Sequence, residues 1–185
     1  KLTNMSQEKK EEESKPETKR PSRVDPEFKH EVLKMHGGET LKICFQCGTC
    51  TSGCTIANFT DSYRPRQIIR LAQLGLSERL LPSDTLWLCS ACYTCTDKCP
   101  QGVEVRDVIR VLQNMAVQKG YIPKAYREFA KNIVKSGYAY NIPSFRLKKR
   151  GEVGLPPIPI TNTEEIEKLA EVTGLKDQIE KEEKA

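Results

Sequence analysis

The apolar residues of the chain recur mainly at the spacing of an α-helix. From Val103 to Lys119 an apolar side chain returns every three or four residues, which predicts an amphipathic helix that Gly120 ends. Shorter patterns of the same kind predict a helix after Pro26, one with Pro65 in its first turn, one over residues 123–137 and one over residues 164–172. No segment alternates as a strand does, so we expect a mainly α-helical fold.

The helix over residues 123–137 carries an aromatic and aliphatic stripe. Its members are Tyr126, Phe129, Ala130, Ile133 and Val134. A stripe at this spacing most often faces a core, so we expect it to be buried. An exposed face for a partner protein is the alternative.

Polar segments flank the helical region on both sides. Residues 1–23 contain Lys, Glu, Ser, Thr and Pro with almost nothing apolar, so we expect a polar N-terminal tail that cannot order by itself. Residues 24–137 hold the main helical patterns and form the predicted domain. Residues 138–185 form a C-terminal extension rich in proline and glycine, in which we expect no regular structure over residues 138–160 and a short helix after them.

The composition points to a small apolar core. Only 37% of the 185 residues are hydrophobic and 30% are charged, so something besides apolar burial should help to hold the fold. The formal net charge is +5, and charges of both signs alternate along most of the chain. The one tight basic cluster consists of Arg146, Lys148, Lys149 and Arg150. It is too small for a nucleic-acid interface, so we expect no nucleic-acid partner and leave open a solvated face or an interface with another subunit.

The sequence offers no membrane-spanning or secretory segment. No stretch approaches the roughly 18 consecutive apolar residues that a membrane-spanning helix needs. Residues 1–23 also lack the apolar stretch of a secretory signal. We therefore expect a cytoplasmic protein without a membrane span. In such a reducing compartment, clustered cysteines bind metal more often than they form disulfides.

The eight cysteines fall into two runs that share the spacing C-x2-C-x2-C-x3-C. The first run is Cys44, Cys47, Cys50 and Cys54, and the second is Cys89, Cys92, Cys95 and Cys99. This spacing is the signature of bacterial ferredoxins with two clusters, so we expect two [4Fe–4S] clusters as cofactors. Structural zinc sites usually take two ligands from each of two C-x2-C pairs, and a disulfide framework needs an oxidising compartment, so both alternatives fit less well.

The spacing also predicts which cysteines share a cluster. Three thiolates within seven residues can wrap three corners of one cubane, whereas the chain carries the fourth cysteine towards the other cluster. The expected ligands are Cys44, Cys47, Cys50 and Cys99 for cluster 1, and Cys89, Cys92, Cys95 and Cys54 for cluster 2. Gly48 and Gly53 suit a close approach of the backbone to a cluster. Such a crossover would staple the two halves of the domain, and folding should depend on metal.

Two runs with a helix between them and helices after them resemble the α-helical ferredoxin module of succinate dehydrogenase and fumarate reductase iron–sulfur subunits. The chain resembles more closely the C subunit of the heterodisulfide reductases of methanogenic archaea. The segments that carry this resemblance are Asp25-Pro26-Glu27-Phe28, Cys47-Gly48-Thr49-Cys50-Thr51, Trp87-x-Cys89, Cys99-Pro100-x-Gly102-Val103 and Asp107-Val108-Ile109. The resemblance covers about residues 24–136 and departs at Thr55, where many relatives have proline.

This resemblance implies a function and partners. The C subunit is similar to a wire that takes electrons from the A subunit, which holds flavin and clusters, and passes them to the B subunit. The B subunit cleaves the mixed disulfide of coenzyme M and coenzyme B (CoM-S-S-CoB) in methanogenesis, and some assemblies also include a hydrogenase. The chain itself agrees with a non-catalytic electron-transfer subunit: every cysteine has a cluster to bind, and there is no G-x-G-x-x-G for a flavin or nicotinamide.

Two other functions stay open at this point. One is a diffusible ferredoxin, and the other is the iron–sulfur subunit of another redox complex, such as a succinate dehydrogenase/fumarate reductase-like enzyme. Diffusible carriers are usually small and acidic, whereas this chain is basic and has polar arms at both ends. We also expect His30 and His36 to be surface or packing residues, because eight cysteines satisfy two clusters, and Trp87 to shield the cluster next to it.

Overall fold

The computed structural model describes residues 23–159 and 162–180, and within these ranges it contains helices and no strand, which confirms the expected mainly α-helical fold. In chain order the α-helices of this part are α1 (Phe28–Lys34), α2 (Thr49–Ser52), α3 (Thr55–Phe59), α4 (Pro65–Gln73), α5 (Ser77–Leu80), α6 (Thr94–Asp97), α7 (Val105–Gln118), α8 (Lys124–Ser136), α9 (Ser144–Glu152), α10 (Thr163–Val172) and α11 (Leu175–Glu180). Short 3-10 helices at Glu39–Ile43 and Asp84–Leu88 precede the two cysteine runs. None of these helices is both long and apolar enough to cross a bilayer. The predicted tail, residues 1–23, lies outside the described residues except for Arg23.

Helix α7 lies at the centre of the core, as its apolar periodicity predicts. Its buried residues are Val105, Val108, Ile109, Val111, Leu112, Met115 and Ala116. It contacts α1, α4, α6 and both 3-10 helices. One buried face therefore holds together the elements that surround both cysteine runs.

A backbone link between the start of the domain and the turn after α4 fixes the position of α1. The amide of Asp25 donates to the carbonyl of Gly75 at 2.8 Å. Phe28 and Val32 then bury the apolar face that the sequence predicts for α1. Gly75 has a φ of +72°, which glycine adopts without strain, and this conformation lets the two backbones approach closely.

The C-terminal extension forms more helix than its proline and glycine content indicates. The expected helix near residues 164–172 is confirmed as α10, but the expectation of irregular chain over residues 138–160 is wrong for α9. Pro143 stands directly before α9, where proline is tolerated because the first amides of a helix have no partner within it. Helices α10 and α11 pack against α8 and bury Ala170 and Ile179. The extension is therefore folded onto the last helix of the domain.

This packing covers only part of the apolar stripe of α8. Tyr126 and Phe129 stay 47% and 39% exposed, so the expectation that the whole stripe is buried is wrong. Arg127 is the buried residue of α8, and its Nη1 donates to the carbonyl of Ile179 at 3.4 Å. The aromatic edge of α8 is left at the surface because α10 and α11 lie against its other side.

We expect Gly75→Ala to destabilise the protein more than Gly102→Ala. Both glycines have positive φ, +72° and +66°, and a left-handed alanine costs about 1–2 kcal/mol at either position. At Gly75 an added Cβ would also lie 2.0 Å from the carbonyl oxygen of Asp25, whereas at Gly102 nothing lies within 4 Å. Thermal unfolding of the two cluster-loaded variants under anaerobic conditions measures the difference. Equal melting temperatures would contradict the close approach at Gly75.

Candidate iron–sulfur centre

All eight cysteines lie in the described residues and are free thiols. Cys50, Cys54 and Cys95 are buried, Cys44, Cys89 and Cys99 are half-buried, and Cys47 and Cys92 are exposed. The disulfide framework that the sequence left as an alternative does not form in this structure. Every thiol is therefore available as a ligand.

Each cysteine run contains two residues in the left-handed region. In the first run Gln46 and Gly48 have φ of 66° and 91°, and in the second Ala91 and Tyr93 have φ of 55° and 60°. A left-handed residue other than glycine costs about 1–2 kcal/mol, so the fold holds three of these residues against their preference. Two such turns, two residues apart, fold the run back on itself and keep its first three cysteines close together.

A cavity brings four cysteines together from both runs. Cys89, Cys92 and Cys95 of the second run line it, and so does Cys54 of the first. The cavity does not include Cys99. The structure thus places the fourth cysteine of the first run beside the second run, next to the three cysteines with which the sequence analysis groups it.

The first three cysteines of the first run also lie close to one another. Burial is the largest influence on the pKa of Cys50 and raises it, and the neighbouring Cys44 and Cys47 raise it as well. Cys99 is half-buried, and its sulfur accepts the amide N–H of Val103 at 3.3 Å. This hydrogen bond holds Cys99 in the loop that precedes α7.

Contact between α2 and α6 sets the two runs side by side. Burial raises the pKa of the Cys95 thiol to about 11, the charge of Cys89 raises it next, and the charge of Cys50 in the other run contributes too. At the exposed second cysteine of each run the effect is opposite: hydrogen bonding to Thr49 lowers the pKa of Cys47, and hydrogen bonding to Thr94 lowers the pKa of Cys92. Because the thiolate is the form that binds metal, a bound metal centre has to displace a proton that burial favours on Cys50 and Cys95.

Two polar side chains, one within the first run and one outside both runs, reach the thiols. Nε2 of Gln46 donates to Sγ of Cys44 at 3.5 Å and to Oε1 of Gln73 at 3.1 Å. Tyr63 is only 1% exposed; burial raises its pKa far above the usual value, and a hydrogen bond with Cys89 raises it further. Tyr63 therefore stays protonated, and its O–H can donate a hydrogen bond to the sulfur of Cys89 in the second run.

The cysteine runs also cap the first turns of α4 and α7, which have no side-chain cap of their own. The amide of Arg66 donates to Oγ1 of Thr51 at 2.9 Å. The amide of Arg106 donates to Oγ1 of Thr96 at 3.1 Å. Each threonine directly follows the third cysteine of its run, so the second residue of each helix is tied to a cysteine loop.

The guanidinium of Arg106 fits a cavity that holds an anion. It lines the cavity of Cys54 and the second run, and no acidic residue lines that cavity. Its Nε and Nη1 are buried and have no hydrogen-bond partner within the described part of the chain. A [4Fe–4S] cluster with four thiolate ligands is anionic, so the thiols and the unpaired N–H groups both fit one.

The same residues do not fit a single metal ion. Within residues 23–159 and 162–180, no three His, Cys, Asp or Glu side chains lie close enough to hold one. Four thiolates on one zinc ion at bonds of about 2.3 Å would have to lie much closer together than four thiolates on the separate irons of a cubane. His30 and His36 are exposed, as expected.

Sequence analysis did not identify Gln46, Tyr63 or Arg106 as part of the site. A sequence repeat could have identified Arg106. After the two runs, Arg66-Gln67-Ile68-Ile69-Arg70 and Arg106-Asp107-Val108-Ile109-Arg110 share the pattern R-x-[I/V]-I-R. The other two residues have no counterpart of the same type in the second half, so no pattern marks them.

An open cavity of about 670 Å³ lies beside the first run, on the side of α4. It is lined by Cys44, Phe45, Gln46, Thr51, Arg64, Arg66, Gln67 and Arg70. Arg66 and Arg70 are exposed there, and Phe45 is 58% exposed. The surroundings of the first run are therefore basic and open to water.

The segment before the second run is tied to α8. The ring of Trp87 packs on the ring of Tyr126 with centroids 4.8 Å apart. The hydroxyl of Tyr126 donates to the carbonyl of Trp87 at 3.4 Å. Trp87 is half-buried and packs against the core, two residues before Cys89.

Comparison with known proteins agrees with this arrangement. Residues 40–103 match the family model described as a 4Fe-4S dicluster domain. The chain is 37% identical to the C subunit of the H(2):CoB-CoM heterodisulfide,ferredoxin reductase of Methanothermobacter marburgensis, over 86% of this chain and 88% of that protein. It is 40% identical to the iron-sulfur C subunit of the CoB–CoM heterodisulfide reductase of Methanopyrus kandleri, over 82% and 76% of the two chains. It is 38% identical to the C subunit of the Ferredoxin:CoB-CoM heterodisulfide reductase of Methanosarcina mazei, over 78% and 88%.

We expect Thr96→Val to destabilise the protein by about 1 kcal/mol, because the first turn of α7 loses its acceptor while the side-chain volume is kept. Thr96→Ser retains the hydroxyl and is the matched control. Denaturant titrations of the cluster-loaded variants measure the difference, and the pair Thr51→Val and Thr51→Ser repeats the test at α4. Valine and serine variants of equal stability would show that the threonines do not cap these helices.

Proposed function

We propose that this chain, which belongs to the family of heterodisulfide reductase C subunits, relays electrons within a complex that reduces the CoB–CoM heterodisulfide. The observation that carries this proposal is the dicluster domain itself, in which α2 and α6 set two cysteine runs side by side. Two redox centres in contact within one small domain provide a path through it. A chain with this design suits the passage of electrons between larger subunits.

The cofactors we infer are two [4Fe–4S] clusters, bound with a crossover of the fourth cysteines. The cavity shared by Cys54, Cys89, Cys92 and Cys95 supports this ligand set for the second cluster. The 3-10 helix before each run and the short helix within each run, which recur in both halves, support the reciprocal role of Cys99 with the first run. Each cluster, when bound, takes up and releases one electron at a time.

The residues of the chain hold these centres and exclude water from them. Cys50 and Cys95 are buried at the contact of the two runs, and Tyr63 covers the second run from the side of α4. Gln46 and Tyr63 supply hydrogen bonds to thiolate sulfur, which tune a reduction potential.

Cleavage of the substrate disulfide is assigned to another protein of the complex. Reduction of CoM-S-S-CoB consumes two electrons and two protons and releases two thiols, and a protein thiol that attacks a disulfide must be free. With eight cysteines bound to iron, this chain has no thiol left for that attack. We therefore place it between the A and B subunits of a heterodisulfide reductase. In this proposal the A subunit, which contains flavin and iron–sulfur clusters, supplies electrons, and the B subunit cleaves the disulfide. A hydrogenase in the same assembly is a further proposed partner.

Exposed apolar side chains favour a permanent subunit over a diffusible ferredoxin. Large apolar residues with more than a third of their surface exposed are frequent in the C-terminal part of the chain; between residues 129 and 155 they are Phe129, Tyr140, Phe145, Leu147, Val153 and Leu155. Such a concentration is typical of a surface that another protein covers. The basic cluster Arg146–Arg150 lies on α9 among them and adds charge to the same region. Because the chain keeps eight thiols free for iron, we propose a reducing compartment, the cytoplasm.

We expect Cys54→Ser to perturb the same spectroscopic centre as Cys89→Ser, because both side chains line one cavity. Cys99→Ser should perturb the centre that Cys44→Ser perturbs. Electron paramagnetic resonance of the reduced, anaerobically reconstituted variants makes the assignment. The wild-type control should hold about eight irons and eight acid-labile sulfides per chain. Cys54→Ser grouping with Cys44→Ser, or a stable colourless zinc form of the wild type, would overturn the ligand proposal.

The functional proposal is tested by purification of a tagged chain from source cells. We expect it to co-purify with the A and B subunits, and the complex to reduce CoM-S-S-CoB, while the isolated loaded chain reduces none of it with any small electron donor. A Cys50→Ser variant that still assembles should lower the rate of the complex, because it removes a ligand at the contact of the two runs. A chain that is monomeric by native mass determination in extracts, or that cleaves the disulfide alone, would contradict the proposal.

A further inference from the structure

Arg106 is fixed against the second cysteine run at its backbone. It is the second residue of α7, and its amide donates to Oγ1 of Thr96, the neighbour of Cys95. Its side chain then lines the cavity that Cys54 shares with the second run. Both the main chain and the side chain of Arg106 therefore face this one centre.

The charge of this side chain has no partner in the cavity. A guanidinium stays protonated in proteins, and Nε and Nη1 of Arg106 are buried without an acceptor among the described residues. The acidic residue next to it, Asp107, is paired with Arg110 at 2.7 Å, and no Asp or Glu lines the cavity. Arg106 as a whole is half-buried, but N–H donors that are shielded from water and have no acceptor are unfavourable, so these two groups favour an anion in the cavity.

We propose that Arg106 is a positioning residue of the second cluster: its guanidinium donates hydrogen bonds to the cluster sulfurs and raises the reduction potential of that centre. This inference rests on the ligand set proposed above. Uptake of an electron adds one negative charge, so a fixed positive charge and N–H donors stabilise the reduced form more than the oxidised form. The low polarity of a buried site makes this interaction stronger than at a surface.

Arg66 provides a comparison within the same molecule. It occupies the same place in α4, and its amide donates to Oγ1 of Thr51 beside the first run. Its side chain, however, is exposed and lines the open cavity of about 670 Å³. Water and ions screen an exposed charge, so Arg66 influences the first centre less than Arg106 influences the second.

The test is a potentiometric titration of the full-length, cluster-loaded chain, followed by electron paramagnetic resonance. The transition that Cys89→Ser displaces identifies the second centre. We expect Arg106→Gln to shift this transition to a more negative potential and to leave the other in place, with wild-type iron content. Arg66→Gln is the matched control. It should shift the transition of the first centre by less than Arg106→Gln shifts the transition of the second centre.

Arg106→Gln with full iron content and unchanged potentials would overturn the proposal, and so would a shift of the other transition alone. If the glutamine variant does not retain the second centre, Arg106→Lys decides: a single ammonium cannot reproduce the fork of the guanidinium, so its potential should also lie below the wild-type value. An unchanged potential in the lysine variant would contradict the proposed hydrogen bonds from the guanidinium to the cluster sulfurs, and loss of all iron in both variants would mean that Arg106 only supports the fold. Failure of the ligand proposal is a separate result, because the wild type would then hold fewer than about eight irons or Cys54→Ser and Cys89→Ser would affect different centres.

Discussion

Contact between α2 and α6 is the interaction on which the rest of the molecule depends. It buries Cys50 and Cys95 next to each other at the meeting point of the two runs. Each run in turn starts the helix behind it, through Thr51 for α4 and Thr96 for α7. These two helices supply a large part of the buried core. The core is therefore tied directly to both cysteine runs, by one hydrogen bond from each helix.

The two halves share a backbone and differ in what surrounds it. A 3-10 helix, a loop with two left-handed residues, a short helix and a longer helix recur in each half, and the first half adds α3 before its longer helix. Gln46 donates to a thiol in the first loop, and Ala91 stands at its place in the second. Arg66 is exposed, and its counterpart Arg106 is buried at Nε and Nη1. The two cysteine runs therefore share their backbone conformation, but the side chains around them give the two halves different polarity.

The sequence predicts those features that depend on local patterns. The periodicity of α7 and the glycine after it place that helix to within about two residues, since amphipathicity and turn residues are local signals. The spacing also groups Cys54 with the second run, and Cys54 lines the same cavity as Cys89, Cys92 and Cys95. Tyr63 and Arg106 could not be predicted in the same way. Their roles depend on which helix packs behind which loop, and that is set by tertiary contacts rather than by spacing.

The wrong expectation for the apolar stripe of α8 has a physical origin. A helical stripe indicates which side of a helix is apolar, but not how much apolar surface a partner element brings to cover it. In this chain α10 and α11 are short and bury Ala170 and Ile179 against α8, which leaves Tyr126 and Phe129 partly uncovered. Tyr126 meanwhile packs on Trp87, two residues before a cysteine of the second run. The surface that the fold leaves uncovered is therefore joined by one aromatic contact to the segment that leads into the second cysteine run.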